Sequence, residues 1–168
     1  MLTRCETCAV KVEARLQELG LVLPEAIRAP EGVRLPFAFA RTGGGRVYIS
    51  GHAPQAADGS LLPLRGKVGA EVSTEEAYDA ARATGLSMLG TLKRELGDLD
   101  RVTAWLRVFG MVNSAPGFTD QPAVINGFSD LILDLYGPEA GQHARSAVGL
   151  AELPFGIPVE IEAEVAVD

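Results

Sequence analysis

Residues 73–112 read STEEAYDAARATGLSMLGTLKRELGDLDRVTAWLRVFGMV. Two periods follow one another in this stretch. Ser73 and Glu76 form the Ser-x-x-Glu capping box that opens a helix. Ala77, Ala81, Met88, Leu92 and Leu96 then recur on one face, and Gly97 supplies the stop. The small residues Ala77, Ala81 and Gly85 would let this helix lie close to a sheet. From Arg101 to Val112 the pattern changes to alternation. Val102, Ala104, Leu106 and Val108 are read as pointing one way, with Trp105 and Phe109 the other way. A strand apolar on both sides must be covered on both sides. A helix supplies one cover, and a second subunit is the natural candidate for the other.

Downstream, Asp120 to Tyr136 reads as a second helix. Asp120 can cap it, Pro122 suits its first turn and Gly137 ends it. Val124, Phe128, Leu131 and Leu135 form its buried stripe. Ala144 to Leu150 reads as a strand. Pro158 to Val167 is a clean alternation, with Val159, Ile161, Ala163, Val165 and Val167 inward and Glu160, Glu162 and Glu164 outward. Upstream, Pro36–Arg41 and Val47–Ser50 flank Gly43, Gly44 and Gly45 and read as a β-hairpin. No Gly-Lys-Ser/Thr follows those glycines, so they are not a phosphate-cradling loop. His52–Leu64 is a loop with a turn at Asp58-Gly59, and Gly66–Gly69 is a candidate short strand. Glu6–Leu19 reads as a preliminary helix with Val10, Val12, Leu16 and Leu19 on its stripe and Gly20 as its stop. Val22–Leu35, with Pro24, Pro30 and Gly32, reads as an irregular connection. Strands under two helices on one face make an α+β layer.

The 168 residues suit one globular domain. A net charge of −7 opposes a phosphate backbone, so general nucleic-acid binding is disfavoured. The only cysteines are Cys5 and Cys8, which gives no disulfide framework and suits a cytoplasmic location. They form a C-x-x-C, but a zinc site needs two further ligands. No apolar run is long enough to span a membrane, and residues near the start do not form a signal peptide.

Four segments occur in order: Val47-Tyr48-Ile49-Ser50-Gly51 with His52-Ala53-Pro54; Asn126-Gly127-Phe128; Ala144-Arg145-Ser146-Ala147-Val148; and Leu153-Pro154 with Val159-Glu160-Ile161-Glu162-Ala163. This set resembles the YjgF/RidA family, long labelled endoribonuclease L-PSP. Gly66-Lys67-Val68-Gly69, Val112-Asn113-Ser114-Ala115-Pro116 and Gly141-Gln142-His143-Ala144-Arg145-Ser146 resemble a branch with longer members. The resemblance covers about residues 35–168 and leaves 1–34 as an N-terminal helix and extension. It implies a chorismate-mutase-like α+β fold with a mixed sheet, two main helices on one face and an extra N-terminal helix. It also implies a homotrimer with a central barrel and a cleft between subunits. The activity it implies is hydrolysis of enamines and imines such as 2-aminoacrylate to 2-oxo acids and ammonia, with no cofactor and no metal.

Carried over by position, Arg145 matches the arginine that grips the substrate carboxylate, and Glu160 the glutamate that positions water. Phe37 falls where deaminase members carry a tyrosine, so one hydroxyl contact is missing. Ser50 and Gly51 match the cleft strand, and Asn126 a helix residue near the cleft. His52 replaces a common glutamine, and His143 lies near Arg145. The chemistry suits these residue types. A guanidinium fork fits a carboxylate with two parallel hydrogen bonds, and a carboxylate raised toward neutrality by burial can take a proton from water. Ser50 and His52, two apart on an extended segment, would sit side by side, yet no orienting acid makes them a nucleophile pair. A non-catalytic 2-oxo acid sensor is the alternative. A ribonuclease is disfavoured by the acidic charge.

Overall fold

A computed structural model describes residues 11–29 and 31–168. The reading of Cys5 and Cys8, and the first part of the preliminary helix, fall outside those residues.

The capping box holds as read. Ser73 Oγ accepts from the Glu76 amide while the Glu76 carboxylate accepts from the Ser73 amide, and Gly97 closes the helix with φ +79°. This helix, the longer one, runs Thr74–Leu96. Ahead of it are the short helix α1, Val12–Glu18, and the strands β1, Ala40–Gly43, and β2, Arg46–His52; it is therefore α2. The hairpin between β1 and β2 turns on Gly44 and Gly45 alone, both at positive φ, as a two-residue loop of that hand requires. Gly43 stays in the strand, and Pro36–Phe39 precede it as irregular chain. Gly66–Gly69 is not a strand: Val68 makes only isolated bridges, to Ser114 and Val72.

After α2 come β3, Val102–Asn113; α3, Gln121–Gly141; β4, Ala144–Leu150; and β5, Val159–Val167. The sheet is mixed, in the order β1-β2-β5-β3-β4, with β3 and β4 parallel and the other pairs antiparallel. Gly137, at φ +69°, breaks α3 before its last turn. Asp120 stands at its start without a side-chain cap, and Pro122 occupies the first turn. The stripe Val124, Phe128, Leu131 and Leu135 is fully buried.

Helices α2 and α3 lie side by side on one face of the sheet. Glycine decides how closely they pack. A Cβ on Gly127 would stand 2.0 Å from the Tyr78 carbonyl oxygen, and one on Gly85 would stand 2.8 Å from Leu131. Gly85 therefore opens α2 toward α3 rather than toward the sheet. Helix α1 adds Val12 and Leu16 to the same core, with the Val12 amide donating to Asp100 Oδ1. Leu19 is exposed instead of continuing that stripe.

The alternation expected for β3 is broken twice. Its pairing with β5 slips between Val102 and Ala104 and again between Trp105 and Arg107. Each bulge inserts one residue and reverses the parity of the faces. Trp105 and Val108 consequently share the helix side. Trp105 is buried edge-to-face against Phe128 and Tyr136. Phe109 and Met111 are the half-exposed apolar residues of the opposite face. That face has a second apolar strand side without a helix over it, but Trp105 is not part of it.

Candidate functional site

β5 carries Glu160, Glu162 and Glu164 on the face away from the helices. Glu164 pairs with Arg46 at 2.6 Å and Glu162 with Arg107 at 3.6 Å. Glu160 has no such ion pair among the described residues. It is half-buried against β2, where a Cβ on Gly51 would stand 2.0 Å from its Oε1. Only glycine leaves room for the carboxylate there. Burial, and then the neighbouring Glu162, push the Glu160 carboxyl above its ordinary value. Glu160 opens into a cleft of about 270 Å³ whose lining includes Phe37, Phe39, Gly51 and Phe155.

Ser50 and His52 do not form a pair. β2 slips against β5 between Ile49 and His52, so the bulge turns His52 to the opposite side from that expected. Its side chain is 1% exposed. His52 Nδ1 lies 2.7 Å from the Ser50 carbonyl, and Nε2 lies 2.9 Å from Thr91 Oγ1. A carbonyl only accepts, so Nδ1 carries the proton and Nε2 accepts from Thr91. Burial lowers the His52 pKa to about 4, so the ring is neutral and structural. The expected cleft role for His52 is corrected to that of a core residue beneath the cleft wall. The Ser50 hydroxyl donates to the Ala38 carbonyl.

Arg145 stands elsewhere. It pairs in register with Val108, on the helix face, whereas Glu160 pairs with Met111, on the opposite face. Positions three apart on a strand point to opposite sides, so the two groups leave the sheet in opposite directions. The Arg145 guanidinium lies against α3. Nη1 donates to Asn126 Oδ1 at 2.9 Å and to Ser129 Oγ at 3.0 Å, and Nη2 to the Pro122 carbonyl at 3.3 Å. All three acceptors are neutral, and no carboxylate pairs with it among the described residues. Its pKa is lowered by burial, with Asp130 acting the other way.

His143 joins this cluster through Ser129. Nδ1 lies 2.7 Å from the Gly141 carbonyl and Nε2 3.0 Å from Ser129 Oγ. By the same tautomer argument, Ser129 donates to His143 while accepting from Arg145. The His143 pKa is lowered, chiefly by burial. One chain thus holds two separate clusters: Glu160 with Phe37 and Gly51, and Arg145 with Asn126 and His143. Ser129 and Phe155 were not singled out in the sequence. Ser129 stands three residues from Asn126, one helical turn along the same face, and that spacing could have found it.

Residues 13–156 match the family described as "YjgF/chorismate mutase-like, putative endoribonuclease". The chain belongs to this family. The Trypanosoma cruzi protein TCP17 is 42% identical over 155 residues, 92% of this chain and 93% of that protein. Among solved structures, the protein Atu1372 of Agrobacterium tumefaciens is 37% identical. It superposes with a TM-score of 0.83 over 95% of this chain and 94% of its own. TdcF of E. coli, solved with bound serine, shares the fold at 22% identity and a TM-score of 0.57, covering 87% of this chain and 98% of its own. As a YjgF-family chain it has the mixed sheet and two main helices that the motifs implied. No helix among the described residues is long and apolar enough to cross a membrane.

Proposed function

We propose that this YjgF-family chain is an imine and enamine deaminase that works as a homotrimer without a cofactor. Arg145 of one copy and Glu160 of the next face each other across a cleft between subunits. The carrying observation is a pair of complementary charges without an ion-pair partner among the described residues: a half-sheltered guanidinium held by neutral oxygens, and a half-buried carboxylate. Groups that leave one sheet in opposite directions meet only when a second copy supplies one of them. Phe109 and Met111, half-exposed beside the β5 glutamates on that face, give such an assembly apolar side chains to bury.

In the proposed reaction, Arg145 fixes the carboxylate of a 2-imino acid with two parallel hydrogen bonds. Glu160 orients a water and takes one of its protons as the oxygen bonds to the imine carbon. The substrate nitrogen, bound in its protonated iminium form, becomes the amino group of the carbinolamine. Glu160 passes its proton to that group, and the C–N bond breaks to release ammonia. The hydroxyl proton goes to Glu160 as the carbonyl of the 2-oxo acid forms. Holding water and carbon in register supplies several kcal/mol toward the barrier, and a positioned base typically contributes about 10²–10⁴-fold. Glu160 must be ionised to act, and its pKa is raised. The acid limb of kcat/KM therefore lies above the ordinary glutamate value of 4.5. The serine held by TdcF, itself a small carboxylate, agrees with such a ligand on this fold. The row of glutamates on β5 is a poor surface for RNA.

The test generates 2-aminoacrylate with a serine dehydratase and follows its decay. Arg145→Ala and Glu160→Gln chains are each inactive alone. Mixed trimers regain activity, because a Glu160→Gln copy still offers Arg145 to an Arg145→Ala copy that still offers Glu160. No recovery on mixing sinks the shared cleft. Unchanged decay with wild-type protein, together with binding of 2-oxobutyrate, replaces the enzyme with a sensor.

A further inference from the structure

We infer that the substrate of the Glu160 cleft carries a bulky apolar side chain, aromatic or branched, and that Phe37 and Phe155 select it. This rests on the reading above only for placing the reacting carbon beside Glu160. The cleft is about 270 Å³, whereas a cavity of about 150 Å³ lined by apolar side chains already accepts benzene. The three-carbon 2-aminoacrylate would leave most of that space to water against hydrocarbon. Apart from Glu160, the lining is dominated by Leu35, Phe37, Phe39, Leu61, Phe155 and Ile157. The polar contributors are few: Arg28 forms a surface pair with Glu25, and Gln55 donates to the Gly59 carbonyl, its buried Oε1 having no partner among the described residues.

Two features at the mouth point to selection rather than residual packing. Phe37 and Phe155 are each about half exposed, at 52% and 50%, an arrangement costly in water unless something covers it. Phe155 also holds a left-handed backbone, φ +58°, the one non-glycine residue described with positive φ. Strain of that kind costs on the order of 1–3 kcal/mol and collects at ligand clamps. Phe37 is fixed in turn by an edge-to-face row, with Phe39 at 5.1 Å and then the buried His52 ring 5.4 Å beyond. The wall is therefore firm. Ile27 and Leu35 of the N-terminal connection close one side of it, giving that segment a role in side-chain recognition.

The experiment oxidises leucine, phenylalanine and alanine with an amino-acid oxidase in the presence of semicarbazide. It measures how far the protein removes each imine before capture. The expected ratio of kcat/KM, phenylalanine- or leucine-derived over alanine-derived, is at least about tenfold. Phe155→Gly deletes the ring at a position whose backbone suits glycine, so folding is preserved; it should bring the ratio below about threefold, as should Phe37→Ala. Equal rates on the three imines overturn this inference and leave the deaminase standing. If no imine is consumed, the deaminase reading fails, and calorimetry decides the inference instead. Phenylpyruvate binding at least about tenfold tighter than pyruvate upholds it. Equal or absent binding overturns it and assigns the groove to another occupant, such as a neighbouring subunit.

Discussion

Arg94, Thr91 and His52 form a hydrogen-bonded series that ends on the Ser50 carbonyl; Arg145, Ser129 and His143 form another that ends on the Gly141 carbonyl. The wiring is the same: guanidinium to hydroxyl, hydroxyl to imidazole, imidazole to backbone. The surroundings differ. In the first series Thr91 and His52 are buried, while Arg94 is exposed and also donates to the Pro24 carbonyl. In the second, Arg145, Ser129 and His143 are each half-buried beside α3, with the exposed Asn126 as an additional acceptor. Identical bonding therefore has its hydroxyl and imidazole sealed in the core in one place and half-open in the other. Burial of those two groups, not residue type, separates them.

The sharpest way to break this comparison is to remove each arginine. Arg145→Ala should lower kcat/KM for imine hydrolysis roughly 10³-fold, since two charge-assisted hydrogen bonds to the substrate are lost. Its effect on thermal stability should be slight. Arg94→Ala should do the reverse: near-normal turnover, and a loss of about 1–3 kcal/mol because the Pro24 carbonyl and Thr91 lose their donor. Equal losses of activity in both variants would erase the distinction.

The histidines give the next largest effect. His52 has a folded-state pKa of about 4 against an ordinary 6.5, so the folded protein favours the neutral ring. Its stabilisation is complete above pH 6.5 and is lost as pH falls toward 4. The loss is on the order of 3 kcal/mol. Denaturant unfolding at several pH values should show this slope in the wild type and a shallower one in His52→Gln. His143 is lowered in the same direction but is half-buried, so His143→Gln should change the slope less.

The smallest effect sharpens the claim about neutral acceptors. Asn126→Asp places a carboxylate beside Arg145 and should weaken 2-oxo acid binding about tenfold, measured by calorimetry. Unchanged affinity would show that the neutrality of its partners is irrelevant to Arg145.

What could be read from the sequence followed from how local the signal was. The Ser73–Glu76 box, the Gly97 stop, the glycine turn and the alternation of β5 each depend on residues within one turn or one strand, and each appears in the fold. The errors at Trp105 and His52 share one cause. Both residues follow bulges, at Val102–Ala104 in β3 and at Ile49–His52 in β2. A bulge is set by the partner strand, which alternation in one strand does not encode. Arg145 and Asn126 were matched from the family's motifs, and the structure adds the hydrogen bond between them. The separation of Arg145 from Glu160 across the sheet follows from the parallel pairing of β4 with β3, a register invisible in either strand alone.

The missing side chain at Gly127 has a mechanical consequence. With the Tyr78 carbonyl occupying that space, α2 and α3 interlock at this point and together form a single plate. Asn126 and Ser129 sit on that plate, flanking Gly127. In the proposed site, the oxygens that aim the Arg145 fork are thus carried on a helix locked to its neighbour, and little ordering would be left for binding.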